Sequence, residues 1–161
     1  MAGDIKQKFG SNNQTITISL GSLANTSARQ STEIDNSSNL FRDALVFVKV
    51  KSGASGTATT GIVNVYAYAT VDGGTTRTEN AGASDAAITL TSPPNAILIG
   101  VIAVVANATT YYGGPFSVAR AFGGTLPEKW GIIIENRCGG TLDTTGGNHA
   151  VIYQGVLDQY T

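Results

Sequence analysis

The sequence predicts an all-β fold, an antiparallel two-sheet β-sandwich of jelly-roll type with about eight strands and an extended N-terminal arm. Short runs with strict period-two alternation recur along the chain, each bounded by Gly, Pro or Asn clusters. No window of about 11 residues or more carries a clean helical stripe. One core is expected to serve the whole chain, because 161 residues suffice for a full hydrophobic interior and no change in composition marks a domain boundary.

The chain has few charged residues and almost no excess of either sign. Charged residues make up 13% of the sequence, against roughly 25% in typical domains, and the formal net charge is −1. Electrostatic capture of nucleic acid is therefore not expected. The start lacks an apolar leader, and no run approaches the roughly 18 apolar residues of a membrane helix, so we expect synthesis in the cytoplasm and no membrane partner. Low charge suits a protein packed against neighbours.

The N-terminal segment differs from the rest of the chain. Residues 1–13 show no sustained alternation and are rich in Gly and Asn, which predicts an arm outside the core, either disordered or docked on a partner. Residues 14–161 are predicted to form the sandwich domain. At its start, Ile16, Ile18 and Leu20 alternate with Thr and Ser, which predicts a half-buried strand.

The remaining elements follow from the same patterns. Residues 28–35 alternate but are polar on both faces, which predicts an edge strand or an extended loop. Residues 43–51 (DALVFVKVK) and 62–70 (IVNVYAYAT) combine alternation with β-branched and aromatic side chains, which favours strands. The continuous apolar run 96–105 (AILIGVIAVV) predicts a strand covered on both faces, and Gly100 argues against a helix there. Further strands are predicted at 86–90, 111–119, 131–137 and 150–157.

The chemistry-bearing residues do not form a recognisable catalytic or zinc site. His149 is the only histidine, and no G-x-S-x-G elbow accompanies it. One histidine and one cysteine, Cys138, fall short of the three or four ligands that zinc takes, and a lone cysteine forms no internal disulfide. Oxygen ligands for calcium remain a possibility at Asp72, Glu79, Asn80 and Asp85, or around Asp143, without EF-hand spacing. We predict no catalytic residue and no cofactor.

The aromatic residues leave two interpretations open. An aromatic platform could bind sugar, whose C–H faces stack on rings. Cross-strand pairing or subunit contact explains the same residues equally well. The residues concerned are Tyr66, Tyr68, Tyr111, Tyr112, Phe116 and Trp130.

Several phrases of the sequence resemble a family of small structural proteins of tailed bacteriophages. They are ARQSTEIDNSSNLFRDALVFVKVKSG, VYAYATVDGGTT, DAAITLTSPPNAILIGVI, GPFSVARAFGGTLPEKWGIIIENRCGGTLD and GNHAVIYQGV, and the resemblance extends from about Thr15 onward. It implies a non-enzymatic virion protein, above all a capsid decoration or cement protein that stabilises the head shell. The implied partners are the major capsid protein and further copies of the chain, with a trimer favoured.

This resemblance leads to two predicted contact sets. Subunit contacts are predicted on aromatic residues expected to be exposed: Tyr66, Tyr68, Tyr111, Tyr112, Phe122 and Trp130. Capsid contacts are predicted on the arm, at Ile5, Lys6, Lys8 and Phe9. Two other functions stay open on the same fold: a receptor- or glycan-binding module of a tail tip or fibre, and a neck or tail assembly component.

Overall fold

The computed structural model describes residues 3–160, which are nearly all β and contain eleven strands and three short 3₁₀ turns. The turns are Thr78–Asn80, Ala119–Phe122 and Gly146–Asn148. No helical segment within residues 3–160 is long and apolar enough to cross a membrane. The strands, in chain order, are β1 (Ile5–Phe9), β2 (Gln14–Thr15), β3 (Ala28–Gln30), β4 (Ile34–Asp35), β5 (Asp43–Lys51), β6 (Ile62–Thr70), β7 (Ala86–Ile88), β8 (Ile97–Ala103), β9 (Thr110–Ser117), β10 (Lys129–Arg137) and β11 (Ala150–Tyr160).

The strands form two antiparallel sheets with jelly-roll connectivity. The front sheet has the order β1-β11-β5-β9, with β2 also paired to β11. The back sheet has the order β7-β3-β10-β6-β8, with β4 paired to β10. Pairing proceeds inward from the two ends of the chain, β2 with β11, β3 with β10, β5 with β9 and β6 with β8, and successive pairs alternate between the sheets. The fold-class prediction is confirmed.

The main core lies between the two sheets. On β5, the four side chains that point inward are fully buried: Ala44, Val46, Val48 and Val50. Opposite them, β10 contributes Trp130, Ile132 and Ile134, which are equally buried. The Trp130 ring meets Tyr153 of β11 edge-on, with the ring centroids 5.3 Å apart. Period-two alternation therefore produces this core, with one face of each strand directed inward.

A third layer covers the outer face of the back sheet. The segment 71–96 folds over β6 and β10 and encloses a second apolar cluster of Ala28, Tyr66, Tyr68, Ala81, Ala96 and Ile133. The Tyr68 ring occupies the space above Gly131, where an added Cβ would lie 2.3 Å from the ring. Glycine is therefore needed at this position. Because both of its faces are buried, β10 tolerates the continuous apolar run Gly131–Ile134.

Two strand predictions require correction. The run 96–105 is not covered on both faces: β8 is the edge strand of the back sheet, and Val101 is 48% exposed. The segment 28–35 is only in part a sheet edge, because β3 lies between β10 and β7, whereas β4 pairs with β10 alone. In both cases the local pattern describes the side chains of a strand, whereas the number of neighbouring strands is decided by distant parts of the chain.

The N-terminal segment also differs from its prediction. Residues Ile5–Phe9 form β1, which pairs with the last residues of β11 from Val156 to Tyr160. The segment is thus docked on its own chain, with all five side chains exposed. β11 continues three residues past the strand end predicted at 157, and these residues supply the backbone partner. The alternating burial of Ile16 and Leu20 is as predicted, although the ladder there is short.

Candidate interaction surface

The outer face of the front sheet is not covered by any part of the described chain. Because Ala44, Val46, Val48 and Val50 point inward, their neighbours Leu45 and Phe47 point outward. Cross-strand register places further side chains on the same side, since directly opposed residues share a face. We define the front face by the residues Ile5, Phe9, Leu45, Phe47, Tyr112, Pro115, Ile152 and Tyr160.

The front face presents exposed apolar side chains interspersed with polar ones: Lys49 is paired with Tyr112, and Gln154 and Asp158 share the outward side of β11 with Ile152 and Tyr160. Ile5 is 73% exposed, Tyr160 72%, Tyr112 63%, Phe9 51% and Phe47 36%. Large apolar residues exposed singly are ordinary, but a contiguous set across several strands marks an interaction surface in a monomeric fold. The structure therefore presents one candidate docking surface made of aromatic and aliphatic side chains.

The β5–β9 side of the front face contains a ring pair beside a shallow cavity. The rings of Phe47 and Tyr112 lie 6.0 Å apart between centroids, with an interplanar angle of 30°. The neighbouring cavity has a volume of about 490 Å³ and is lined by Asn12, Asn13, Leu45, Phe47, Pro115, Ile152, Tyr153 and Gln154. Apolar walls with a few amide groups can take either a protruding side chain of a protein partner or a small polar ligand.

The structure rules out three of the six predicted subunit contacts. Tyr68 and Trp130 are fully buried and Tyr66 is 7% exposed, so these three cannot contact another subunit without unfolding. Phe122 packs against the main core. The Tyr111 hydroxyl accepts hydrogen bonds from the backbone N–H groups of residues 105 and 106 within its own chain. Sequence alternation cannot distinguish a sheet face open to solvent from one covered by a distant loop.

The other predicted contact residues are exposed. Tyr112 lies on β9, at one edge of the front face. Among the predicted capsid contacts, Ile5 and Phe9 belong to the front face, whereas Lys6 and Lys8 alternate to the opposite side of β1. Leu45, Phe47 and Ile152 were missed by sequence reasoning. Their signal was present in β5, whose two faces are both apolar from Ala44 to Val48, so that one of them needs a partner.

The acidic residues considered for calcium are used by the chain's own donors. The Glu79 carboxylate accepts hydrogen bonds from the backbone N–H groups of Thr91, Asn95 (2.5 Å) and Ala96 (3.0 Å). The Asp72 carboxylate accepts from Thr70 and from the backbone of the next turn, which holds its pKa well below the ordinary value. Within residues 3–160, no group of three or more His, Cys, Asp or Glu side chains is placed to hold a metal ion.

A buried carboxylate joins β6 to β10 on the back sheet. Glu135, 4% exposed, accepts hydrogen bonds from the Asn64 amide (2.9 Å), the Tyr66 hydroxyl (2.9 Å) and the Arg137 guanidinium (2.6 Å). Burial by itself raises the pKa of Glu135, but these donors outweigh burial and hold its pKa below the ordinary range. Because these donors satisfy the carboxylate, the network is explained by a structural role: it links β6 to β10.

His149 is also engaged by the backbone. Its Nδ1 atom accepts from the Lys51 N–H (3.3 Å), and its Nε2 atom contacts the Asp143 carbonyl at 2.9 Å. These partners fit an assignment in which Nε2 is the donor and Nδ1 the acceptor. Asn148 and the Thr145 backbone donate to the Asp143 carboxylate and lower its pKa to about 2. The histidine thus pins the turn before β11 and makes no hydrogen bond to a hydroxyl or thiol side chain in the described chain.

The geometry defines a jelly-roll protein with one covered and one uncovered sheet face. Comparison with known proteins adds no family to this description: no protein-family model matches the sequence, and no curated protein is significantly similar to it.

Proposed function

We propose that this protein is a non-enzymatic virion structural protein, a capsid decoration protein of a tailed bacteriophage whose front face binds the major capsid protein and stabilises the head shell. The observation that carries the proposal is the contrast between the two sheets. The back sheet is covered by segment 71–96 of its own chain, whereas the front sheet leaves Phe9, Phe47 and Tyr112 exposed. The resemblance of the sequence to structural proteins of tailed bacteriophages supports the assignment to a virion and to its head shell.

The front face has the composition of a docking site on a large assembly. Aromatic side chains dominate the binding energy of protein interfaces, and buried apolar area contributes about 25 cal/mol per Å². Ile5 and Phe9 extend the face along β1 to the sheet edge. A modest contact by each copy is sufficient to stabilise the shell, because many linked copies add their contacts through multivalency.

A second candidate function is a glycan-binding module on a tail tip or fibre. It is favoured by the Phe47–Tyr112 ring pair and by the amides of Asn12, Asn13 and Gln154 in the cavity that Phe47 lines. Rings stack on the C–H faces of sugars, and amides bond to hydroxyls. The same surface would then bind a host sugar instead of the shell.

We expect Phe47→Asp to abolish shell binding while leaving the fold intact. The substitution places a charge in the centre of an apolar contact, and a buried unpaired charge costs several kcal/mol. Phe47 is one-third exposed and points outward, so folding tolerates the change. Co-sedimentation with capsids that lack this protein should show an affinity loss of at least about 100-fold.

Val71→Asp is the matched control for this experiment. Val71 is 99% exposed and directly follows β6, a strand of the back sheet. This variant should bind the shell as the unmodified protein does, and thermal melting should show both variants folded. Equal shell binding by Phe47→Asp would contradict the proposal, and loss of binding on a glycan array would instead support the glycan module.

A further inference from the structure

One side of the sandwich is free of charge. Residues 86–119, between Asp85 and Arg120, include no Asp, Glu, Lys, Arg or His; they contain β8 and β9, which lie on this side, and β7, which lies at the opposite edge of the back sheet. The last strand of the back sheet, β8, lies beside the last strand of the front sheet, β9. Close contacts join them: a Cβ at Gly100 would meet the Phe116 ring, and a Cβ at Gly113 would meet the Ile102 side chain. The two strands therefore form one neutral side.

β8 is the least protected edge of the two sheets. It pairs with β6 on one side, and no other strand of residues 3–160 pairs with it. Its side chains at Leu98 and Val101 are each 48% exposed, and Val105 just beyond its end is 42% exposed. Apart from a bulge near Gly100, β8 has none of the features that normally block pairing with another chain.

The other three edges each carry such a feature. β1 presents Lys6 and Lys8, β7 is only three residues long, and β9 contains Pro115, which cannot donate to a ladder. β8, an uncharged and apolar strand of seven residues, thus has the bulge as its one blocking feature. Such an edge is a template for a further strand.

We propose that β8 pairs with β8 of a second copy of this chain, antiparallel across a two-fold axis, so that the two back sheets become one continuous sheet. The second copy is the occupant because two identical antiparallel edges present matching donors and acceptors to each other. Neutral apolar side chains such as Val101 then face their equivalents without charge repulsion. This interface is separate from the front face, so its test is independent of the proposed function. It gives a dimer, whereas the resemblance implies a trimer.

Analytical ultracentrifugation over a concentration series tests the pairing. The unmodified chain should sediment as a monomer–dimer equilibrium. Val101→Lys places like charges close together at the two-fold contact, which costs several kcal/mol and should raise the dimer Kd at least about 100-fold. Val71→Lys adds the same charge at a remote, fully exposed position and should leave the Kd unchanged. Circular dichroism melting confirms that both variants fold.

Hydrogen exchange gives a second measurement. Amides of residues 97–103 that point away from β6 should become protected as the concentration passes the dimer Kd. A monomer at all concentrations would overturn the pairing, as would a dimer that survives Val101→Lys. A dimer broken by Phe47→Asp instead would assign self-association to the front face. Loss of shell binding with an intact β8 dimer would affect only the proposed function.

Discussion

Replacing Trp130 with alanine is expected to reduce the free energy of unfolding by about 3–5 kcal/mol. Trp130 has no exposed surface and packs at the centre of the main core, edge-on against Tyr153 of the opposite sheet. Its removal leaves a cavity between the two sheets that neighbouring strands can close only in part. Since domains of this size are stable by about 5–15 kcal/mol, the loss is a large fraction of the total.

Urea denaturation followed by tyrosine fluorescence or circular dichroism measures the Trp130→Ala effect. Tyr112→Ala is the matched control, because Tyr112 is also aromatic but 63% exposed, and we expect a change within about 0.5 kcal/mol. Equal stability losses in the two variants would contradict the burial pattern. Trp130 would then not be the core residue that its burial indicates.

Replacing Glu79 with alanine is expected to cost about 3 kcal/mol and to loosen segment 71–96. The Glu79 carboxylate bonds three backbone N–H groups between Thr91 and Ala96 and the Thr91 hydroxyl, and hydrogen bonds to a charged group each contribute about 1.5–3 kcal/mol. Glu79 also adopts a left-handed backbone conformation, with φ of 64°. These bonds offset the cost of that strained conformation.

The same carboxylate makes stability depend on pH in a defined direction. Burial raises the pKa of Glu79, but the converging N–H donors outweigh burial and bring the pKa below its ordinary value of 4.5. A lowered pKa in the folded state stabilises the protein fully above that ordinary value, and the contribution is lost as pH falls through the folded pKa. The unmodified protein should thus lose more stability between pH 7 and pH 3 than Glu79→Gln does.

Urea midpoints at the two pH values, measured for both proteins, isolate Glu79 because the other acids with lowered pKa values are present in both. Hydrogen exchange should show faster opening of residues 91–96 in Glu79→Ala, while the main core keeps its protection. Identical pH profiles for the unmodified protein and Glu79→Gln would mean that this carboxylate does not hold the segment.

The sequence predicted little of the candidate interaction surface, and Tyr66 and Tyr68 show why. Tyr66 and Tyr68 alternate with alanines in a pattern that predicts one aromatic face, and that face exists. Whether it faced solvent depended on segment 71–96, which encloses these rings and is tied to the rest of the chain by the hydrogen bonds of Gly82 with Gln30 and of Arg77 with Glu33. Neither link is visible from local sequence, because both join residues far apart in the chain.

What the sequence determined by itself was the all-β class and most strand positions, since period-two alternation and turn residues act within a few neighbouring positions. It also determined the inward faces of strands such as β5, whose Ala44, Val46, Val48 and Val50 are all buried. Only the tertiary structure decided which sheet face stayed open, which strand became an edge and where residues 5–9 paired. These outcomes depend on contacts between distant segments, and the free energy of such contacts is absent from any local pattern.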